Sequence, residues 1–135
     1  MNRYLGLRVI TYLYLGLNIL SGCFWVLFRD AKSVCCCQVV GREAGALLAA
    51  HYRVDGQPHL NPLRDVLIGS RHMYLIFPTS HGDLHSYVRH KGNLGEDEAR
   101  RLFRQMAVAV RTCHDAGIVL KDLKLRKFVF ADIRR

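Results

Sequence analysis

The residues whose chemistry stands out lie near the end of the 135-residue chain, in Gly117-Ile118-Val119-Leu120-Lys121-Asp122-Leu123-Lys124-Leu125-Arg126-Lys127-Phe128-Val129-Phe130. One apolar run leads into Asp122-x-Lys124 and a second leads out. A carboxylate can take a proton and an ammonium can hold an anion, and the groups beside them decide what the pair can do. Here Leu120 brings no titratable group, while Lys121 and Lys127 add positive charge. Two other constellations carry less. His81, His85 and His90 lie near one another, and the first two could share a helical face as metal ligands. No cysteine or carboxylate completes a tetrahedral set at useful spacing, so a polar helix edge explains them and no metal is expected. Neither G-x-S-x-G nor G-x-G-x-x-G occurs, which removes a nucleophile elbow and a glycine-rich phosphate loop.

Laid against the pattern H-R-D-L-x-x-x-N, the stretch resembles the catalytic loop of protein kinases. That resemblance implies that Asp122 stands where the base accepts the substrate hydroxyl proton, and Lys124 where a lysine steadies the transferred phosphate. Leu120 replaces the histidine, Lys121 the arginine, and Lys127 the asparagine that binds the second magnesium. An ammonium in a cation site repels the ion it should hold. With these departures the run is most similar to the Tribbles pseudokinases, whose loop reads close to L-[RK]-D-L-K-L-[RC]-[KR]-F-[VI]-F. Upstream, Gly82-Asp83-Leu84-His85-Ser86-Tyr87-Val88-Arg89 resembles that family's G-D-[ML]-H-S-[YFL]-V-R segment. Residues 96–106 are similar to its E-E-E-A-x-x-L-F-x-Q-[IM] helix, and Cys113-His114 to its C-H. The match is clearest over 59–132, and none is visible over 1–33.

The resemblance implies an α+β fold, an incomplete protein-kinase-like domain over 34–135. It would comprise part of the small lobe, the hinge, the first large-lobe helices and the catalytic loop. No D-F-G, activation segment or A-P-E follows Asp122, so a fragment of such a domain is expected. Residues 1–33 form a separate hydrophobic segment, expected as a helix. Within it, 9–28 carries no charge and is long enough to span a bilayer. Arg3 and Arg8 precede it and Arg29 and Lys32 follow, which gives no firm orientation. Three readings stay open there: a membrane helix or signal anchor, sequence foreign to the native protein from a misjudged first exon, and a buried helix.

Residues 34–40 read as a short buried strand that places Gln38 in the nucleotide-lysine position, where a neutral amide cannot pair with the α/β-phosphates. Residues 43–51, rich in alanine, read as a helix corresponding to helix C, with Glu43 its one carboxylate. Residues 63–68 and 73–77 read as a hairpin, with 78–81 as hinge. Asp83 is expected to cap a short helix reaching about His90. Asn93 and Glu96 form a capping-box pattern for a longer helix that Gly117 ends. On it Ala99, Leu102, Phe103, Met106, Val110 and Cys113 make one apolar face. Arg100, Arg104 and Arg111 collect opposite, as a solvated row.

Net charge is +9, so an acidic partner is expected. No aromatic residues interleave with the arginine row, and nucleic acid is not. The five cysteines are odd in number, with Cys35, Cys36 and Cys37 consecutive, which suits a reducing compartment better than a disulfide framework. The Tribbles resemblance implies a catalytically inactive regulator without cofactor, found in nucleus or cytoplasm. It would act on mitogen-activated protein kinase kinases as inhibitor or scaffold, and recruit an E3 ubiquitin ligase to its substrates. Two alternatives remain. One is an active serine/threonine kinase fragment binding ATP, which Asp122 and Lys124 favour. The other is a small single-pass membrane protein, anchored through 9–28, with a relic kinase-like segment. An exposed apolar patch and marginal stability are expected, because the amphipathic helix lacks many of its usual large-lobe partners.

Overall fold

The computed structural model describes residues 7–9, 23–24, 36–37, 42–70, 73–78, 80–120 and 123–131. In chain order the elements are β1 (Leu7–Val9), β2 (Cys23–Phe24), β3 (Cys36–Cys37), α1 (Arg42–Arg53), β4 (Asp65–Ile68), β5 (Met73–Ile76), α2 (Leu84–Lys91), α3 (Glu96–Asp115), a 3-10 turn η1 (Leu125–Lys127) and β6 (Phe128–Phe130). Three antiparallel strand pairs result, β1 with β6, β2 with β3 and β4 with β5.

Helix α1 forms where alanine and leucine are dense and buries Leu47, Ala50 and His51, with Val54 just past its end. That spacing is one face of a 3.6-residue repeat. That face shares a core with β5 and the residue after it, where alternation puts Met73, Leu75 and Phe77 inside and leaves Tyr74 outside, and the His51 ring meets Phe77. Strand β4 is largely exposed and gains its place from backbone pairing, with Leu67 opposite Tyr74 and Val66 opposite Leu75. The hairpin thus stands where the sequence puts it.

Helix α2 starts at Asp83, whose Oδ1 accepts from the Ser86 N–H at 2.8 Å, and stops at Gly92, whose N–H donates to the Val88 carbonyl at 2.9 Å. The start of α3 differs from expectation. Its N-cap is Gly95, with no side-chain cap, rather than Asn93. Glu96, Asp97 and Glu98 fill the first turn instead, and three carboxylates there satisfy the positive end of the helix dipole without a capping side chain. The other end fits the sequence. Gly117 sits at φ +72°, its N–H donates to the His114 carbonyl at 2.9 Å, and the Ile118 N–H donates to the Cys113 carbonyl at 2.8 Å. These two bonds form a Schellman motif, sealed by burial of both Cys113 and Ile118.

The inward face of α3 is also turned from the one expected. Glu98, Leu102, Ala109 and Cys113 are buried, Met106 and Val110 lie at the core's edge, and Phe103 is 67% exposed. The apolar arc is therefore wider than the core beneath it. One part of the arc lies in the shared core, where α3 runs against β1, and the other part faces an open cleft.

Of the apolar run 9–28, the described residues Val9, Cys23 and Phe24 are extended in strands, where a helix was expected. A run rich in Val, Ile, Tyr, Phe and Trp suits strand as well as helix by residue type. No helix among the described residues is long and apolar enough to cross a membrane. Backbone pairing of Leu7–Val9 with Phe128–Phe130 ties part of the N-terminal segment to the end of the loop that carries the candidate chemistry. The expected strand over 34–40 is described at Cys36–Cys37, beside Cys23–Phe24, and Gln38 lies outside the described residues.

His51 is 6% exposed, its ring tilted against Phe77 at 5.1 Å, and its Nε2 has no hydrogen-bond partner among the described residues. Burial pushes its pKa from 6.5 to about 4, against a small opposing pull from Asp55. Between those values the unfolded chain takes up a proton that the folded chain refuses. Stability is therefore full above the ordinary value and drains as pH falls toward 4, by on the order of 3 kcal/mol in all. Urea midpoints measured from neutral pH to pH 4 should fall steeply in the parent and less steeply in His51→Leu. Equal slopes would show that His51 titrates normally in the fold.

Candidate functional site

The loop from Ile118 onward alternates inward and outward. Ile118 is 1% exposed, Val119 62% and Leu120 8%, so Leu120 belongs to the core beside Phe128 and Phe130. The position that the kinase pattern gives to histidine is filled here by an apolar plug, which needs no hydrogen-bond partner and carries no charge. Lys121 and Asp122 lie outside the described residues. Lys124 is the N-cap of η1 and exposed, and its carbonyl accepts from the Lys127 N–H at 2.9 Å. Lys127, half-buried, thus stands one turn from Lys124, with Arg126 between them. Lys124, Arg126 and Lys127 thus put three basic side chains on one short turn.

The loop's far end is fixed by backbone and by rings. The His81 N–H donates to the Phe130 carbonyl at 2.9 Å, the Phe130 N–H donates to the Gly82 carbonyl at 3.0 Å, and Asp83 bridges to Val129. Tyr87 of α2 meets the Phe130 ring edge-on at 5.2 Å. The residues after the expected hinge are thereby sewn to β6.

A polar cluster that sequence reasoning missed then joins α2 to α3. The Tyr87 hydroxyl donates to Glu98 Oε1 at 2.5 Å, and Lys91 makes an ion pair with Glu98 Oε2. Lys91 also lies 5.6 Å over the Tyr87 ring. The Lys91 and Tyr87 hydrogen bonds hold the Glu98 carboxyl below its usual value against the opposing effect of burial. Burial and the same carboxylate raise Tyr87, and the Glu98 bond raises Lys91. A signal existed in the Tyr87–Lys91 spacing of four residues on one helix. Nothing local pointed to Glu98 across the turn.

Among the described residues, two cavities flank this frame. The first, about 780 Å³, is an apolar cleft lined by Phe103, Met106, Ala107 and Val110 of α3 and by Leu123, Lys124, Leu125 and Phe128 of the loop, with Arg111, His114 and Asp115 at its margin. Exposed Phe103, Leu123 and Leu125 make it the apolar patch anticipated from the helix's unmatched face. The second, about 550 Å³, is polar and lined by Asp83, His85, Ser86, Arg89, His90 and Arg126. His85 and His90 thus meet on one cavity, while His81 is exposed with its backbone paired to Phe130. Among the described residues no group of three His, Cys, Asp or Glu could hold a metal. Burial pushes the Cys113 thiol up to about 11, which leaves it protonated and unreactive at neutral pH.

Comparison with known proteins adds the following. The protein kinase domain family matches residues 31–132. Tribbles homolog 3 of Mus musculus is 50% identical over 93 residues, covering 69% of this chain and 26% of the relative. Tribbles homolog 2 of Mus musculus is 47% identical over 88 residues, covering 65% of this chain and 26% of the relative. Tribbles homolog 3 of Homo sapiens is 46% identical over 94 residues, covering 70% and 26%. The chain therefore spans about a quarter of the length of these relatives.

Replacing Glu98 with alanine should lower stability by about 1 to 2 kcal/mol, since it removes the acceptor of the Tyr87 hydroxyl and the ion-pair partner of Lys91 and so unpins α2 from α3. Urea titration at neutral pH checks this. Because the Glu98 carboxyl is depressed, its contribution is present above the ordinary value of 4.5 and lost as pH falls below it. The gap between parent and variant should accordingly narrow in acid.

Proposed function

We infer the function from this premise: the chain belongs to the protein kinase domain family, and within it is Tribbles-like. The reading it supports best is a kinase-like regulator that binds other proteins and does not transfer phosphate. In that reading residues 34–135 are the kinase-like part and 1–33 a preceding hydrophobic segment. Asp122 and Lys124 are vestiges of the loop, with Leu120, Lys121 and Lys127 its departures and Gln38 an amide in place of the nucleotide lysine. The observation that carries it is Leu120 buried in the core with Lys127 one turn from Lys124. A loop that packs its histidine position away and puts an ammonium at a metal position keeps its shape without the grips that phosphoryl transfer relies on. The apolar cleft beside Lys124 supports protein binding, since exposed Phe103, Leu123 and Leu125 form a contiguous surface that a partner would cover. By family resemblance the partners are mitogen-activated protein kinase kinases and an E3 ubiquitin ligase with its substrates.

The experiment has two arms. In the first, thermal melts are recorded with ATP, with and without magnesium. A true nucleotide site held at a hundred times its dissociation constant would add about 2.7 kcal/mol, a rise of several degrees. No rise is expected, and a magnesium-dependent rise would overturn the inactive reading. In the second, immobilised chain is offered a panel of purified kinase kinases. At least one should be retained, and Leu123→Ser with Leu125→Ser should release it by opening the cleft's apolar wall.

A further inference from the structure

The polar cavity has no role in the reading above, and none of its lining residues lines the apolar cleft. Its walls come from two segments distant in sequence. One is the start and polar side of α2, with His85, Ser86, Arg89 and His90, and the other is Arg126 of η1. The opposite side of α2 is committed to the core through Leu84, Tyr87 and Val88, so the polar side cannot turn inward. The two walls are held in register by the backbone pairing of His81 and Gly82 with Phe130 and by the bridge from Asp83 to Val129. Both guanidinium groups are therefore presented on a frame that exists before any ligand arrives, which lowers the ordering cost of binding.

The charges in the cavity point to the ligand. Arg89 and Arg126 set two permanent cations against one carboxylate, Asp83. That carboxylate is occupied, with Oδ1 accepting from the Ser86 N–H and Oδ2 from the Ser86 hydroxyl, each at 2.8 Å. Partial burial raises the Asp83 carboxyl, and the Ser86 bonds with His85 nearby more than offset this, so it remains ionised and turned to its cap. Two imidazoles add ring N–H donors. A guanidinium fork fits a tetrahedral or planar oxyanion through two parallel hydrogen bonds. A cavity of about 550 Å³ is larger than a free ion needs and admits the side chain that carries one. No Phe, Tyr or Trp is among its described lining residues, so a nucleobase would lack the large rings on which it usually stacks. Two arginines fall short of the polybasic cluster that holds a membrane surface.

We propose that this cavity between α2 and η1 receives a side-chain oxyanion of a partner protein, either a phosphate on serine or threonine or a glutamate-type carboxylate. The site requires a protein ligand but not an inactive loop, so a chain found to bind ATP would leave it standing.

The test uses the full chain and three fluorescein-labelled pentapeptides with alanine flanks and a central phosphoserine, glutamate or serine, followed by anisotropy at low salt. The phosphoserine peptide should bind and the serine peptide should not. Glutamate binding as tightly as phosphoserine assigns the site to carboxylates, and much weaker glutamate binding assigns it to phosphate. Arg89→Gln and Arg126→Gln should each weaken the bound peptide roughly tenfold, as loss of a charge-assisted hydrogen bond does. Arg104→Gln, an exposed position on α3, removes the same charge and should change nothing. Arg89→Lys keeps the charge without the fork and should fall between parent and Arg89→Gln. Three results would overturn the proposal: no preference over serine, an equal loss in Arg104→Gln, or full affinity in both cavity variants. Circular dichroism of each variant confirms that a loss of binding is not a loss of fold, and Arg89, exposed on a helix, is the substitution least able to disturb it.

Discussion

The structure depends on the burial of Phe128 and Phe130. Strand β6 is three residues long, all of them buried, and it meets β1, α2 and the backbone of His81 and Gly82 at once. Phe130 receives the edge of Tyr87, its backbone pairs with His81 and Gly82, and Tyr87 is held in turn by Glu98 of α3. Each large apolar side chain buried in this way contributes about 1.5 to 3 kcal/mol. The loop that leads into β6 is anchored by that burial and by Leu120 and Ile118 on its other side. The course of the loop thus rests on apolar side chains at both of its ends.

The same arrangement explains the two cavities. Helix α3 carries an apolar arc wider than the core that β6 and Leu84 offer it, so Met106 and Val110 sit at the edge and Phe103 stands in the open. The loop returns its own apolar residues, Leu123 and Leu125, to that same opening. On the other side α2 turns Leu84 and Tyr87 inward and leaves Arg89 and His90 facing Arg126. One surface is apolar and the other cationic, and both are consequences of how the helices meet β6.

Much of this was legible in local sequence. Asp83 declared the start of α2 because an aspartate before a helical run accepts from the N–H groups of the first turn. Gly117 declared the end of α3 because the left-handed conformation there suits glycine. The alternation of Met73, Leu75 and Phe77 declared the inward face of β5. The errors share one cause, which is that the deciding partner lies elsewhere in the chain. Asn93 satisfies a capping pattern, yet the carboxylates of the first turn let Gly95 take the cap. Phe103 belongs to the apolar stripe by spacing, yet the core reaches only the stripe's other half. Glu98 looks like one more acidic residue at a helix start until Tyr87 and Lys91 are seen against it. Of the candidate site, Leu120 is buried in the core, and Lys124 and Lys127 stand one turn apart at η1. Asp122, Lys121 and Gln38 lie outside the described residues. The polar cavity could not have been read at all, because Arg126 reaches it only through the pairing of β6 with the residues before α2.

The proposal made above is that apolar packing holds this loop in shape and that the chain engages other proteins without phosphorylating them. Its most direct test is transfer of labelled phosphate from ATP, with magnesium or manganese, to a general protein substrate and to the chain itself. The account predicts no incorporation above that of an Asp122→Ala variant. Incorporation by the parent that disappears in that variant would contradict it.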